Sequence, residues 1–395
     1  MFKEIYVANY KPFKELRLPL SRVNLLIGPN NSGKTSVLEA IMLMKRLFVF
    51  GESPSVKVLK NVAPAEFFGD DKIELDKVVH KKDFSKELRF GCTVELGDKE
   101  VTKILGFSSE RGTCEAKIGR KTLRVEHLHD KGEWVVKKDD FNLRDVTYNT
   151  DKVHSKPDLE EVNRIKDELR KVFLIHSGRG VIKSYYRVPP KWPEPEEAGV
   201  SNAFDVLYYI RYRTGYEHVI ELINDFIKKY GLEDIRSVPA EEQQYEVIVR
   251  DSKLNIDINI SQIGSGIDQL LLMLILLNYY PDESLVLMEL PEIHMHPRMQ
   301  SEFANLLNHV LKGKNHKLII ETHSEHLIYG LLNLVAKKKL SPSDVNLLYF
   351  RREDGVAECR SLEVTEMGTI RGGLPDFFEA DLENLLEWIS TVSEG

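Results

Sequence analysis

The spacing of apolar and polar positions divides the chain into regions of different secondary structure. Near the N-terminus, apolar residues at alternate positions predict two short strands joined by residues 9–13, and the apolar run Val23–Ile27 predicts a buried strand. Five short alternating segments between residues 87 and 137 predict an antiparallel β-meander. From residue 267 to residue 350, helical and apolar extended segments alternate, which is typical of a parallel α/β sheet.

The middle of the chain has a helical pattern that a proline-rich loop interrupts at residues 188–195. The elements predicted there are helices at 158–171, 202–213 and 216–229 and strands at 172–175, 244–250 and 254–260. The strand near residue 25 needs partners among the C-terminal strands. We therefore interpret the β-rich and helical regions as insertions within one α/β domain.

Residues 28–35, with the sequence GPNNSGKT, lie between the strand Val23–Ile27 and a helical pattern at 36–44, and they fit the motif G-x-x-x-x-G-K-[ST]. Glycines allow backbone N–H groups to surround phosphate oxygens, and the helix N-terminus adds its positive dipole end. We predict that Lys34 reaches the β- and γ-phosphates and that the Thr35 hydroxyl ligates Mg²⁺. The predicted nucleotide contacts in this loop are Asn30, Asn31, Ser32, Gly33, Lys34, Thr35 and Ser36.

Two later strands end in further candidates for the same site. Glu289 ends the apolar strand 285–289, and we predict it as the second magnesium anchor. His323 follows the strand 318–321, and we predict that it hydrogen-bonds the γ-phosphate or the attacking water. Gly264, Ser265 and Gly266 precede an apolar helix, where backbone amides and the hydroxyl form a second anion site.

Two further histidines and the overall composition help to exclude some classes of function. His294 and His296 lack a nearby third ligand, so we interpret them as loop architecture rather than a metal site. A net charge of −7 argues against a generic polyanion-binding surface, and three scattered cysteines favour a reducing compartment. No apolar stretch reaches the ~18 residues of a membrane span, so we expect a cytoplasmic protein with no membrane partner.

The order of these motifs resembles the ATPase heads of the ABC type, in the branch that contains RecF, SMC and the OLD-type ATPases. Residues 9–13, Asn-Tyr-Lys-Pro-Phe, are similar to the N-F-K-x-F opening of that branch. Residues 290–297, 320–327 and 374–378 resemble more closely the stand-alone bacterial and archaeal predicted ATPases of the AAA family, which carry a small C-terminal domain. No Toprim-like run of acids follows, unlike in full OLD nucleases.

This resemblance implies an α/β P-loop NTPase of ABC-ATPase type with an inserted antiparallel β-meander and a helical lobe. The predicted divisions are 1–50 and 261–340 for the two parts of the ATPase head, 51–154 for the β-rich lobe, 155–260 for the helical lobe and connecting strands, and 341–395 for the small C-terminal domain. The implied cofactors are ATP and Mg²⁺.

The resemblance also implies a head-to-tail homodimer, or a higher homo-oligomer, that closes around ATP. Ser265 and Gly266 match the signature motif that touches the γ-phosphate held by the other subunit, and His323 matches the switch histidine. The implied roles are DNA maintenance or defence against foreign DNA, with DNA and an effector such as a nuclease as candidate partners. A nucleotide-dependent switch with little hydrolysis, a transporter ATPase subunit and a small-molecule kinase remain alternatives, and the last two are disfavoured.

One position departs from the branch pattern, in which a catalytic Glu directly follows the magnesium-linked acid. Leu290 occupies that position and cannot accept a proton or hold a water. Water positioning must then come from His323, from Glu292, or from no residue. We therefore predict slow hydrolysis and a long-lived ATP-bound state.

Overall fold

The structure is a computed structural model that describes residues 1–50, 78–83, 85–108, 111–128, 133–140, 157–177 and 182–373. The strands within these ranges are β1 Phe2–Tyr10, β2 Phe13–Pro19, β3 Val23–Ile27, β4 Leu88–Leu96, β5 Lys99–Phe107, β6 Arg111–Ile118, β7 Lys121–Leu128, β8 Glu133–Asp139, β9 Val172–Ile175, β10 Tyr186–Arg187, β11 Leu232–Ala240, β12 Gln244–Asp251, β13 Ile256–Asn259, β14 Leu285–Glu289, β15 Lys317–Glu321, β16 Val345–Glu353 and β17 Val356–Leu362. The helices are α1 Lys34–Phe50, α2 Pro157–Arg170, α3 Ala203–Ile210, α4 Glu217–Lys228, α5 Ser265–Tyr279, α6 Pro297–Gly313 and α7 Glu325–Ala336. Short 3₁₀ turns cover His80–Lys82, Val200–Asn202, Ile260–Gln262 and Pro342–Asp344.

The strand before the phosphate loop lies inside a sheet whose described strands have the order β17-β16-β3-β15-β14-β9. β16, β3, β15, β14 and β9 run parallel, and β17 pairs antiparallel with β16 at one edge. This confirms the predicted parallel α/β pattern. The carboxyl ends of parallel strands meet at one edge, so the segments that follow β3, β15 and β14 converge there.

Both faces of this sheet are covered, which explains why its strands read as continuous apolar runs. Every residue of β3 is buried. Leu26 joins a core that contains Ile41 of α1, and its neighbour Leu25 joins a second core that contains Leu274 of α5. Alternate residues of one strand therefore stabilise helices on opposite sides of the sheet.

The predicted meander is confirmed, but its sheet is larger than the sequence pattern suggested. Its described strands have the order β2-β1-β4-β5-β6-β7-β8, so the N-terminal hairpin pairs with the meander through β1 and β4. A boundary at residue 50 therefore cuts this sheet. Pairing between strands about 80 residues apart leaves no trace in local periodicity, because any exposed strand edge can accept a partner.

The helical region contains a strand that the sequence analysis missed. β11 pairs with β12, which also pairs with β10 and β13. Its alternation is broken by a register shift between Glu233 and Arg236, where Asp234 has a φ of 51°, and by Pro239 near its end. A bulge of this kind adds a residue to one strand and hides the period of two.

The predicted C-terminal domain boundary at residue 341 also differs from the structure. β16 and β17 belong to the core sheet, because β16 pairs in parallel with β3 from Val345 to Tyr349. Residues 374–378, which carry part of the resemblance to the stand-alone ATPases, lie outside the described residues. Across the ranges that the structure describes, no helix combines the length and the apolar character needed to cross a bilayer.

Gly28 directly follows β3 under a tight steric constraint, and this generates a stability prediction. Its φ is +134°, and a Cβ atom there would lie 2.1 Å from the carbonyl oxygen of Phe350 in β16. Gly28→Ala should lower the free energy of unfolding by at least about 2 kcal/mol, measured by denaturant titration.

Gly97→Ala is the matched control, because Gly97 has a φ of +67° and no atoms within 4 Å of the added Cβ. It should cost only the roughly 1–2 kcal/mol of the left-handed conformation. A loss for Gly28→Ala that is no larger than the loss for Gly97→Ala would contradict the steric account.

Candidate functional site

The phosphate-loop motif forms a compact turn between β3 and α1. Its backbone takes positive φ values at Gly28 (134°), Asn31 (62°) and Gly33 (107°), which only glycine and asparagine adopt readily. α1 begins at Lys34. The first amides of a helix have no partners within the helix, so this turn presents free donors and the positive end of the helix dipole to the same space.

Lys34 is folded back onto its own loop. Its Nζ donates to the carbonyl oxygens of Gly28 (2.9 Å) and Pro29 (2.7 Å), and the residue is 3% exposed. Burial lowers the pKa of Lys34, while the nearby Glu321 opposes this effect. The ammonium group is therefore held inside the loop by weak neutral acceptors, which anionic oxygens can replace with stronger charge-assisted bonds.

Thr35 contacts a carboxylate from the strand next to β3. Its Oγ1 donates a hydrogen bond of 2.8 Å to Oε1 of Glu321, the last residue of β15. Burial raises the pKa of Glu321 to about 7, although Thr35 and Lys34 lower it. Glu321 was not a candidate in the sequence analysis. The available signal was its position at the end of an apolar strand, directly before the Thr-His-Ser segment, residues 322–324.

Glu289 lies one strand farther from the loop. In the parallel register it sits opposite Glu321, and its Oε2 accepts hydrogen bonds from Ser177 N (3.0 Å) and Ser177 Oγ (2.7 Å). His176 Nε2 is 3.1 Å from the same oxygen. Glu289 thus connects the end of β14 with the segment that follows β9.

Glu292, Leu290 and His323 lie along the loops that follow β14 and β15. Glu292 Oε1 accepts a hydrogen bond of 2.7 Å from the backbone N–H of His323, so Glu292 fixes the position of the loop after β15. Leu290 has a φ of 42°, an uncommon value for an L-residue, and its N–H donates to the Glu321 carbonyl at 2.9 Å. Ser324 rather than His323 caps α7. Burial lowers the pKa of His323, which favours a neutral imidazole.

These elements enclose a cavity of about 590 Å³ at the carboxyl edge of the sheet. Among the described residues, its lining contains every predicted loop residue from Asn30 to Ser36 together with His323. The predicted candidates Glu289, Glu292 and Gly266 are not part of that lining. The lining residues outside those predictions are Lys11, Pro12, Val79, Leu290, Glu321 and Arg352.

Two basic residues besides Lys34 line the cavity. Arg352 Nη1 donates to Asn31 Oδ1 at 3.0 Å, and Lys11 forms an ion pair with Glu39 of α1. Lys11 belongs to residues 9–13, the segment that resembles the opening of the ABC-type branch. Arg352 was missed because a domain boundary was expected before β16, although it lies near the C-terminal end of that strand, which belongs to the same sheet.

The second predicted anion site lies at the start of α5. A Cβ atom at Gly266 would lie 2.9 Å from the carbonyl oxygen of His294, so this helix start packs against the loop after β14. His296 Nδ1 accepts a hydrogen bond of 3.3 Å from Arg298 N and caps α6. This agrees with the interpretation of the two histidines as loop architecture.

The residues of the cavity fit a magnesium-bound nucleoside triphosphate. The loop offers amides and Lys34 to phosphate oxygens, and the hydroxyl of Thr35 lies beside a buried carboxylate. Glu321 Oε2 is buried without a hydrogen-bond partner in the described structure. A buried carboxylate oxygen in that condition is costly unless a cation or a cation-bound water approaches it.

Comparisons with known proteins agree with this geometry. A family model described as "AAA domain, putative AbiEii toxin, Type IV TA system" matches residues 23–328, from β3 to α7. The chain belongs to this family. The matched segment contains the phosphate loop, the two strands that end in glutamate (β14 and β15) and the loop that carries His323. The family assignment and the cavity therefore rest on the same residues.

Two further comparisons give similarities to RecF and to an SMC head. DNA replication and repair protein RecF from Vibrio campbellii and from Vibrio parahaemolyticus are each 35% identical to 94 residues, which cover 22% of this chain. The match covers 26% of each RecF, so the chain spans about a quarter of their length. A solved SMC head bound to the C-winged helix domain of ScpA aligns with 92% of this chain and 98% of that chain, at 12% identity and a TM-score of 0.51.

These findings confirm the predicted ABC-type, RecF- and SMC-like ATPase head. The structural likeness supports the fold, and the family match supports nucleotide binding as its general property. Proteins of this type use ATP, generally with Mg²⁺.

Proposed function

We propose that this AAA-family chain binds ATP with Mg²⁺ and hydrolyses it slowly as an ATP-dependent homodimer. The observation that carries the proposal is the cavity in which Lys34, Thr35 and His323 converge at the carboxyl edge of the parallel sheet. Bound Mg·ATP would supply a transferable γ-phosphoryl group with its charge partly neutralised. The protein residues would bind the phosphates, hold the metal and limit the access of water.

Each predicted residue receives a role in this proposal. The amides of residues 30–36 and the ammonium group of Lys34 would hold the phosphates, after Lys34 leaves its loop carbonyls. Thr35 would ligate Mg²⁺ through its hydroxyl, and Glu289 would contribute from the outer side of the site. His323 would hydrogen-bond the γ-phosphate or the attacking water.

Replacement of Lys34 tests the proposal directly. Lys34→Ala should weaken ATP binding about 100-fold, because two charge-assisted hydrogen bonds of about 1.5 kcal/mol each would be lost. Calorimetric titration with ATP and Mg²⁺ measures this change.

Lys317→Ala is a matched control for Lys34→Ala. Lys317 is also buried and donates to a backbone carbonyl, that of Leu20 at 2.9 Å, but it lies outside the cavity lining. The control should lose stability and keep its ATP affinity. Unchanged affinity in Lys34→Ala would refute the assignment of this loop.

Slow hydrolysis follows from the side chain at position 290. Leu290 lines the cavity where the ABC-type pattern has a catalytic Glu, and its apolar side chain offers no proton acceptor. Glu292 holds the His323 backbone through one oxygen, which makes it a positioning group in this proposal. The parent rate should therefore lie well below the 1–100 s⁻¹ that is typical of kinases.

Leu290→Glu should raise the rate of phosphate release about 100-fold, because it restores a general base at the cavity. Leu290→Gln is the control, since it has nearly the same size and no base, and it should leave the rate low. Steady-state phosphate release compares both with the parent and with Glu292→Gln. A fast parent that is indifferent to Glu292→Gln and His323→Ala would mean that the catalytic centre lies elsewhere.

ATP-dependent dimerisation is supported by the position of the helix that starts at residue 265. Gly264, the N-cap of this helix, is exposed and lies outside the cavity lining, so the helix start can reach a nucleotide held by a second subunit. The γ-phosphate carries several charged oxygens that one loop cannot satisfy, and a second helix N-terminus can bind them.

Ser265→Arg should leave ATP affinity unchanged and abolish the ATP-dependent dimer, because a long cation would occupy the helix start. Sedimentation velocity with a non-hydrolysable ATP analogue measures the dimer. Ser343→Arg adds the same charge at an exposed turn and should dimerise like the parent. If Ser265→Arg also dimerises like the parent, Ser265 is not a contact between subunits.

We propose DNA maintenance or defence against foreign DNA as the biological setting, with DNA and a nuclease-like effector as candidate partners. A second candidate is a nucleotide-dependent switch that closes on ATP, hydrolyses little and passes its state to an effector. Leu290 favours this candidate, because an ATP-bound state without an efficient base is long-lived. Single-turnover hydrolysis distinguishes the two, since a switch would retain most of its ATP after dimerisation.

A further inference from the structure

Glu321 combines burial, one short hydrogen bond and one unsatisfied oxygen in the nucleotide cavity. The residue is 4% exposed, and its Oε1 accepts the hydrogen of Thr35 Oγ1 at 2.8 Å. Its Oε2 is buried and has no hydrogen-bond partner in the described structure. Burial of a carboxylate oxygen without a partner costs free energy unless a further donor or a cation approaches it.

The hydrogen bond to Thr35 has a direct consequence for metal binding. A hydroxyl has one hydrogen and two lone pairs, and it ligates a cation through a lone pair. Because Thr35 donates its hydrogen to Glu321, both of its lone pairs remain available on the side away from the carboxylate. Glu321 therefore holds Thr35 in the state that a Mg²⁺ ligand requires.

The charges around Glu321 also favour a cation. Glu289 and Glu292 both act electrostatically on Glu321 and disfavour its charged form, whereas Lys34 favours it. A divalent cation would relieve the repulsion among these carboxylates. The described residues contain no group of three or more His, Cys, Asp or Glu side chains that could hold a metal by itself. Mg²⁺ commonly binds through one or two carboxylates together with phosphates and water, so it would enter with the nucleotide.

We propose that Glu321 completes the magnesium site of this cavity, with Oε1 orienting Thr35 and Oε2 accepting a hydrogen bond from metal-bound water. This inference rests on the proposed function, because it requires the phosphate loop to bind Mg·ATP. It assigns the decisive carboxylate to β15, next to the phosphate-loop strand, instead of to Glu289 on β14. Glu289 is engaged by Ser177 at 2.7 Å and lies near His176.

The proposal has an unusual signature in ATP affinity. Without Mg²⁺, the Glu321 carboxylate repels the triphosphate, so Glu321→Gln should bind ATP as tightly as the parent or more tightly. Mg²⁺ should raise the ATP affinity of the parent, and we call this increase the metal-dependent gain. In Glu321→Gln this gain should be at least tenfold smaller than in the parent. Calorimetric titrations with ATP in excess Mg²⁺ and in excess EDTA measure both values, and Mn²⁺ electron paramagnetic resonance in the presence of ATP measures metal binding separately.

Three comparison variants make the result specific. Glu302→Gln is the matched control, because Glu302 accepts a hydroxyl hydrogen bond from Tyr230 at 2.9 Å outside the cavity, and it should keep the metal-dependent gain. Glu289→Gln should lose less of this gain than Glu321→Gln. Glu321→Asp keeps the charge and should retain part of the gain. Thermal melting of each variant verifies that it is folded.

The proposal is overturned if Glu321→Gln keeps the parent's metal-dependent gain, or if Glu289→Gln loses as much of it or more. A failure of the proposed function has a different signature. In that case Lys34→Ala binds Mg·ATP like the parent. If Lys34→Ala loses ATP while Glu321→Gln keeps the full gain, only the assignment of Glu321 is wrong.

Discussion

The position of β15 between β3 and β14 is the constraint on which the site depends. Neighbouring strands are about 4.8 Å apart, so a side chain at the end of β15 lies one strand from the phosphate loop and a side chain at the end of β14 lies two strands away. The parallel register aligns Glu321 with Leu26 and Glu289 with Glu321. Thr35 at the start of α1 therefore contacts Glu321, and Glu289 instead contacts the segment after β9.

This strand order is maintained by burial on both faces of the sheet. Successive residues of β3 contribute to two separate cores, one with α1 and one with α5, so a change in strand register would expose both. Gly28 then allows the chain to turn within van der Waals contact of the β16 backbone. The same packing that stabilises the fold thus brings the phosphate loop, the Thr-His-Ser segment and Arg352 to one edge.

The cavity contains both a buried ammonium group and a buried carboxylate, so its electrostatics favour a ligand that carries both negative and positive charge. Lys34 is buried on neutral carbonyls, and Glu321 is buried with one unsatisfied oxygen, so both charged groups are under-compensated. Phosphate oxygens would satisfy the first and a hydrated cation the second. Binding of Mg·ATP would therefore exchange weak internal contacts for charge-assisted ones at both groups.

Local pattern was sufficient to predict the phosphate loop, the parallel α/β strands, the meander and most helices. The motif itself identified residues 30–36, and all of them line the cavity. Strand order and long-range pairing could not be predicted, because periodicity describes one segment at a time. For that reason neither the contact between Thr35 and Glu321 nor the pairing of β1 with β4 was foreseen, and Arg352 was assigned to another domain. The bulge at Asp234 concealed β11 for a local reason.

A crystal structure of the parent protein with Mg²⁺ and a non-hydrolysable ATP analogue tests the central claim most directly. Our account predicts that the β- and γ-phosphates lie on the amides of residues 30–36 and that Lys34 Nζ has moved from the carbonyls of Gly28 and Pro29 to phosphate oxygens. It also predicts Mg²⁺ bound to Thr35 Oγ1. An analogue bound elsewhere, or bound in this cavity while Lys34 remains on its own loop, would contradict the account.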